Sequence, residues 1–249
     1  TKTVVQTRTS SDAGATWSAT VDVSDDTQSA YNPQIVAAPN NTLTAIWERF
    51  NGTTDVIRTR TSSDAGATWS AAVDLSDDTQ NAYEPHIVAA PNNTLTAIWD
   101  RSNGTKAVIQ TRTSNDAGAT WSAVFDLSEG TQDAYTPQIV VAPNNTLTAI
   151  WRRTNGTKKV VQTRTSSDAG ATWSAVVDLS DDTQNTFAPQ IVAAPNNTLT
   201  AIWQRNNGTV RFVIQSSSLA SSSSSSASAD TDPGVPGIFL TVAGPVGRS

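Results

Sequence analysis

Apolar and polar residues in this chain change over in short bursts, and no stretch carries the long one-sided apolar stripe of a helix. Residues 33–38 (PQIVAA) are a continuous apolar run with a β-branched pair, which predicts a strand buried on both faces. Pro39-Asn40-Asn41-Thr42 reads as a turn. Residues 43–49 (LTAIWER) predict a second strand, and Asn51-Gly52 behind it is a strong hairpin signal because Asn and Gly tolerate positive φ. Residues 56–61 (VIRTRT) predict a third strand, and 62–69 a turn. Residues 69–75 (WSAAVDL) then alternate, with Trp69, Ala71, Val73 and Leu75 on one face and Ser70, Ala72 and Asp74 on the other. That is the pattern of a strand with one wet face, at the outer edge of a sheet.

The same four elements recur. TRTSSDAGATWS begins at Thr7 and at Thr59, TRTSNDAGATWS at Thr111, and TRTSSDAGATWS again at Thr163, a step of 52 residues each time. Residues 7–58 and 59–110 agree at 42 of 52 positions. A period near 50 points to a propeller or another repeat array, and four antiparallel strands per period make a propeller blade. The expected fold is therefore all-β, a β-propeller of about four blade-equivalents over residues 1–215, with repeats at 7–58, 59–110, 111–162 and 163–215. Residues 216–249 read as a Ser-rich linker and tail, in which 237–243 (GIFLTVA) has the makings of one more strand. Thr1–Gln6 matches 157–162, so the chain opens on a third strand, inside a blade. Either the final first and second strands pair with the leading third and fourth to close four blades, or the chain is an open section of a larger propeller with adhesive edges.

The third turn of each repeat carries a motif. Ser10, Asp12, Gly14, Thr16 and Trp17 recur as Ser62, Asp64, Gly66, Thr68 and Trp69, as Ser114, Asp116, Gly118, Thr120 and Trp121, and as Ser166, Asp168, Gly170, Thr172 and Trp173. This pattern resembles the Asp-box (BNR) repeat of sialidase-like propellers. Its chemistry is local: Asp accepts bonds from nearby backbone N–H groups, Gly supplies a conformation other residues resist, and Trp covers the turn with apolar area. The resemblance implies that the box lies between third and fourth strands and is structural, away from the functional face.

Composition narrows the chemistry. The 249 residues contain no Cys, no Met and one His, with a formal net charge of −6. Disulfides, thiolate metal sites and a Cys nucleophile are excluded, and one His cannot build a multi-His zinc site. No metal and no cofactor is expected. The acidic balance argues against nucleic acid, which demands a positive footprint, and no segment approaches a membrane span. Without Met, and starting in mid-blade, the chain reads as processed or as a fragment. Low charge, a Ser linker and absent Cys suit an exported bacterial protein, extracellular or at the cell surface.

For catalysis the resemblance implies an Arg cluster for a substrate carboxylate, a Tyr nucleophile with a Glu partner and an Asp acid/base. The chain has only Glu48, Glu84 and Glu129, and near-identical blades are poor sources of unlike groups, so no catalytic residue is assigned. The variation at position 48 (Glu48, Asp100, Arg152, Gln204) reads as surface exposure. Repeated binding is the preferred expectation. The linker between successive repeats keeps Gln28, Gln80, Gln132 and Gln184, and places Tyr31, Tyr83, Tyr135 and Phe187 after them. Arg49, Arg101, Arg153 and Arg205 stand just before the second hairpin. An aromatic plane stacks on a sugar's C–H face while Arg and amide donors reach its hydroxyls or carboxylate, and four equivalent sites add avidity. A glycan or glycoprotein is the expected partner, with self-association through open blade edges beside it. The competing readings are that Gln and Arg brace the linker while Tyr fills the blade interface, making a purely structural spacer, or that the chain is part of a sialidase-like hydrolase.

Overall fold

The computed structural model describes residues 1–207 and 213–219, so residues 237–243 lie outside the described residues. Every regular element described is a strand. A leading pair, β1 (Gln6–Thr7) and β2 (Val21–Asp22), is followed by three four-stranded antiparallel sheets. The first comprises β3 (Ala30–Ala37), β4 (Leu43–Phe50), β5 (Asp55–Ser62) and β6 (Val73–Asp74). The second comprises β7 (Ala82–Ala89), β8 (Leu95–Ser102), β9 (Ala107–Ser114) and β10 (Phe125–Asp126). The third comprises β11 (Ala134–Val141), β12 (Leu147–Thr154), β13 (Lys159–Ser166) and β14 (Val177–Asp178). The last described sheet has three strands, β15 (Thr186–Ala193), β16 (Leu199–Arg205) and β17 (Val213–Leu219). No described helix is long and apolar enough to cross a membrane.

Each sheet is one blade of the expected propeller. The inner strands β3, β7, β11 and β15 pack side by side in that order and surround an open channel in which Val36, Val88, Val140 and Val192 meet. At one end of it Pro39, Pro91, Pro143 and Pro195 converge, with Asn40 N–H donating to Asn93 Oδ1 at 2.9 Å and Asn144 N–H to Asn197 Oδ1 at 3.0 Å. The core lies between blades. Ile46, Ile57 and Leu75 of the first sheet pack on Ala82, Ile87, Ala97 and Trp99 of the second, and the next junction repeats the arrangement. Trp47, Trp99 and Trp151 are fully buried there. Among the described residues the leading pair and the last sheet form no strand pairing, so the described blades do not close into a ring.

Two local expectations are revised. The fourth strand is only two residues long: backbone bonds continue at its flanks, as from Ser70 N–H to the Thr61 carbonyl at 2.8 Å and from Leu75 N–H to the Ile57 carbonyl at 2.7 Å, but side-chain bonds are interleaved with them. Ser70 Oγ accepts from Thr61 N–H at 3.0 Å, and the Arg112 guanidinium donates to the Ser122 and Trp121 carbonyls. The first strand is buried on one face rather than two: Ile87, Ile139 and Ile191 are buried, whereas Val88 and Val140 are half-buried toward the channel, Val192 is 63% exposed, and Ile35 is itself 57% exposed. Among the described residues no second strand stands beside β1 to cover Ile35.

Candidate functional site at the channel mouth

The box turns form as their chemistry demands. Asp12 accepts from Thr16 N–H at 2.9 Å and from Thr16 Oγ1 at 2.6 Å, and Ser10 Oγ accepts from Gly14 N–H at 2.8 Å. The Thr hydroxyl above all holds each box carboxylate, Asp12, Asp64, Asp116 and Asp168, down at a pKa of about 2. These turns sit at the third-to-fourth strand connection, remote from the start of the inner strands.

The four arginines are committed to their linkers. Arg49 Nη2 donates to Asp25 Oδ1 at 3.0 Å and to Thr27 Oγ1 at 2.9 Å, and Arg101 pairs with Asp77 and Thr79. Arg153 reaches Glu129 at 3.2 Å and Thr131 at 3.0 Å, and Arg205 reaches Thr183 at 3.0 Å. Arg49 holds Asp25 well below the ordinary carboxylate range. Gln28, Gln80, Gln132 and Gln184 are half-buried in the same linkers, with Gln28 Oε1 accepting from Lys2 Nζ at 3.1 Å. The rings differ: Tyr31, Tyr83 and Tyr135 are exposed, and Phe187 is half-buried. The cation of Arg152 lies 5.5 Å from the Tyr135 ring centre and that of Lys159 lies 5.3 Å from Phe187.

Just past each ring the inner strand bulges, at Asn32, Glu84, Thr136 and Ala188, each with φ between 45° and 54°. Only Asn takes that conformation readily; for Glu and β-branched Thr it stores strain. The ladder sets Tyr31 opposite Glu48, Tyr83 opposite Asp100, Tyr135 opposite Arg152 and Phe187 opposite Gln204. Aromatic, bulge residue and variable second-strand residue from each blade therefore gather at the channel end opposite the prolines.

Glu48 and Asp100 are each only 4% exposed, which overturns the reading of that variable position as surface. Glu48 Oε1 accepts from Asn32 Nδ2 at 2.8 Å and from Glu84 N–H at 2.7 Å, tying one blade's bulge to the next. Asp100 is shorter, and its Oδ1 is buried without a partner, as is Thr136 Oγ1. Burial, reinforced by Glu84 and Glu48 and only partly offset by Arg152, pushes the Asp100 carboxyl up to about 8, so at neutral pH it is a proton donor. Burial and the carboxylates of Asp55, Glu48 and Asp100 raise the Tyr83 phenol as well. Sequence reasoning missed this cluster because the second strand is buried on both faces and alternation there says nothing about exposure. The available signal was that the varying position directly follows an invariant Trp.

His86 bonds Gln138 across blades at 2.9 Å, and among the described residues no acidic or His cluster has the makings of a metal site.

The model of the BNR repeat-like domain matches residues 1–227. No curated protein matches the chain. Among solved structures, the Hadza microbial sialidase Hz136 superposes with a TM-score of 0.57 at 14% identity, over 76% of this chain and 44% of that one. The NanB sialidase of Streptococcus pneumoniae superposes at 0.53 and 17% identity, over 86% and 35%. The alpha-L-arabinofuranosidase Arb93A from Fusarium graminearum superposes at 0.52 and 18% identity, over 75% and 61%. The chain thus spans less than two thirds of each of these proteins, and likeness at such identity speaks for the fold alone. With boxes, blades and family model in agreement over most of its length, the chain belongs to the BNR repeat-like family.

Proposed function

We propose that this chain is a non-enzymatic glycan-binding module of an exported or cell-surface protein, and that its contact surface is the aromatic rim of the channel mouth. The observation that carries the reading is the exposure of Tyr31, Tyr83 and Tyr135 on successive inner strands, beside buried acids and Arg152. Exposed rings stack on the C–H faces of sugar units, while the exposed Glu84 carboxylate offers an acceptor to their hydroxyls. Arg49, Arg101, Arg153 and Arg205, bonded to Asp, Glu or Thr of their linkers, act in this reading as the frame that aims the rings. The names of the sialidase and arabinofuranosidase neighbours are in keeping with a glycan ligand.

The test is a glycan array followed by calorimetry on the best ligand. Tyr83→Ala should weaken binding by about tenfold or more, worth ~1.4 kcal/mol, with the melting temperature held. Absence of any glycan ligand would sink the reading in favour of an architectural spacer.

One observation favours a second reading, a glycoside hydrolase: a carboxyl kept protonated beside Glu84 is the arrangement of a general acid. The raised Tyr83 phenol speaks against a Tyr nucleophile, since it is the phenolate that attacks. Turnover of a fluorogenic sialoside or arabinofuranoside that disappears in Asp100→Asn would establish this reading over binding alone.

A further inference from the structure

The rings of the channel mouth differ in what stands over them. The repeat gives each ring two fixed neighbours. One is the residue opposite it on its own second strand, which is Asp100 for Tyr83 and Arg152 for Tyr135. The other opens the third strand of the preceding blade, which is Asp55 for Tyr83 and Lys159 for Phe187. At Tyr135 the first position puts a guanidinium on the ring, 5.5 Å from its centre, and at Phe187 the second puts an ammonium there, at 5.3 Å. At Tyr83 both positions hold carboxyl groups instead. Among the described residues no cation lies over the Tyr83 ring, which is 37% exposed.

The same corner is short of positive charge. Asp100 is more than nine-tenths buried with its Oδ1 unpartnered, and Glu48 is buried beside it. Glu84, directly after Tyr83, carries its carboxylate to the surface from a strained backbone with φ 53°. Glu84 and Glu48 both press on Asp100, and the one cation that acts on it, Arg152, already lies on the Tyr135 ring. A proton held up to a pKa of about 8 on Asp100 therefore does the work that a cation does in the other blades. An open ring face, an exposed carboxylate and a buried acceptor without a partner meet here. They lie where the first and second sheets join, with described blades on both sides.

We propose that this corner takes the protonated amino group of an amino sugar, with the ammonium on the face of Tyr83 and its N–H groups donating to the Glu84 carboxylate. The inference rests on the glycan reading above and names the saccharide class. A cation over a ring face gains most where it is also desolvated beside an acid. A primary ammonium fits better than a quaternary one, because it brings three donors to a site rich in acceptors. An N-acetylated sugar has neither the charge nor those donors. Asp100 lies behind and acts through its charge rather than by contact. Asp55 and Asp100 thus set selectivity by withholding the cation that the other blades supply themselves. The Tyr135 face, already covered by Arg152, is left to neutral sugar units.

Calorimetry at pH 6 with a glucosamine tetrasaccharide and with its N-acetylated counterpart compares two ligands that share a backbone and differ in charge. The amine form should bind the wild-type chain about tenfold tighter or more. Glu84→Gln, at an exposed side chain, should bring the two forms to within about twofold of each other. Asp55→Lys writes the Lys159 cation of another blade beside Tyr83 and should abolish the preference in the same way, with thermal melts establishing that both variants are folded. Equal binding of the two forms by the wild-type chain, or a preference that survives either variant, would overturn this inference and leave the glycan reading standing. Absence of any glycan ligand on the array would remove both together.

Discussion

Asp100 shows how much one methylene decides. Glu48 reaches the bulge N–H of the next blade, and Asp100, one carbon shorter, leaves its Oδ1 buried and unpaired. Its pKa is raised from 3.8 to about 8, so the fold favours the protonated form. The stability gained from holding that proton is fully present below pH 3.8 and is lost as pH rises through 8. Asp100→Asn, which keeps the shape and cannot ionise, should raise the melting temperature by several degrees at and above pH 8, and by less as the pH falls toward 3.8, with little change below that, as a melt series across pH will read. Glu48→Ala strips the acceptor from the Glu84 N–H and should cost about 1–3 kcal/mol in urea unfolding, the usual toll of an orphaned buried donor.

At the scale of the element, the box turn is set by backbone conformation as much as by its Asp. Gly118 has φ +84°, and a Cβ there would lie 2.7 Å from Thr61 Cγ2 on the neighbouring blade. Gly104 in the second hairpin has φ +95° with nothing within 4 Å. Both substitutions to Ala carry the positive-φ strain of about 1–2 kcal/mol, but only Gly118→Ala adds a clash. Gly118→Ala should therefore unfold at clearly lower urea than Gly104→Ala. The strands themselves were legible from period and turn signals, and the second and third came within a residue of their observed limits at each end. The fourth was not, because WSAAVDL alternates like a long strand while side-chain bonds from Ser70 and the third-strand Arg interrupt its backbone ladder. The bulge after Tyr31, Tyr83 and Tyr135 was also hidden: Pro marks an interruption in the ladder but not which neighbour adopts positive φ.

For the whole molecule, four copies of one turn make the acid response additive. Each box Asp has its pKa lowered from 3.8 to about 2 in the fold, so it contributes stability above pH 3.8 that is lost as pH falls through 2. With Asp100 acting in the opposite sense at high pH, melting temperature against pH should form a dome, and Asp64→Asn should soften its acid limb. A flat profile between pH 4 and 2 would contradict the role given to the box carboxylates.

The sequence by itself determined the repeat, the four-strand blade, the box turns and the buried Trp of each second strand, because local turn chemistry and periodicity write these into consecutive residues. It also contained every residue of the channel mouth without showing that they meet. Glu48, Glu84 and Asp100 lie tens of residues apart, and Arg152 half a hundred beyond Asp100. Only the packing of inner strands around one channel brings them together and gives Asp100 its proton. The same holds for the open ends: Ile35 and Ile202 look like every other Ile of the repeat. Tertiary structure alone reveals that, among the described residues, neither is covered by a neighbouring blade, since burial belongs to the junction and not to the residue.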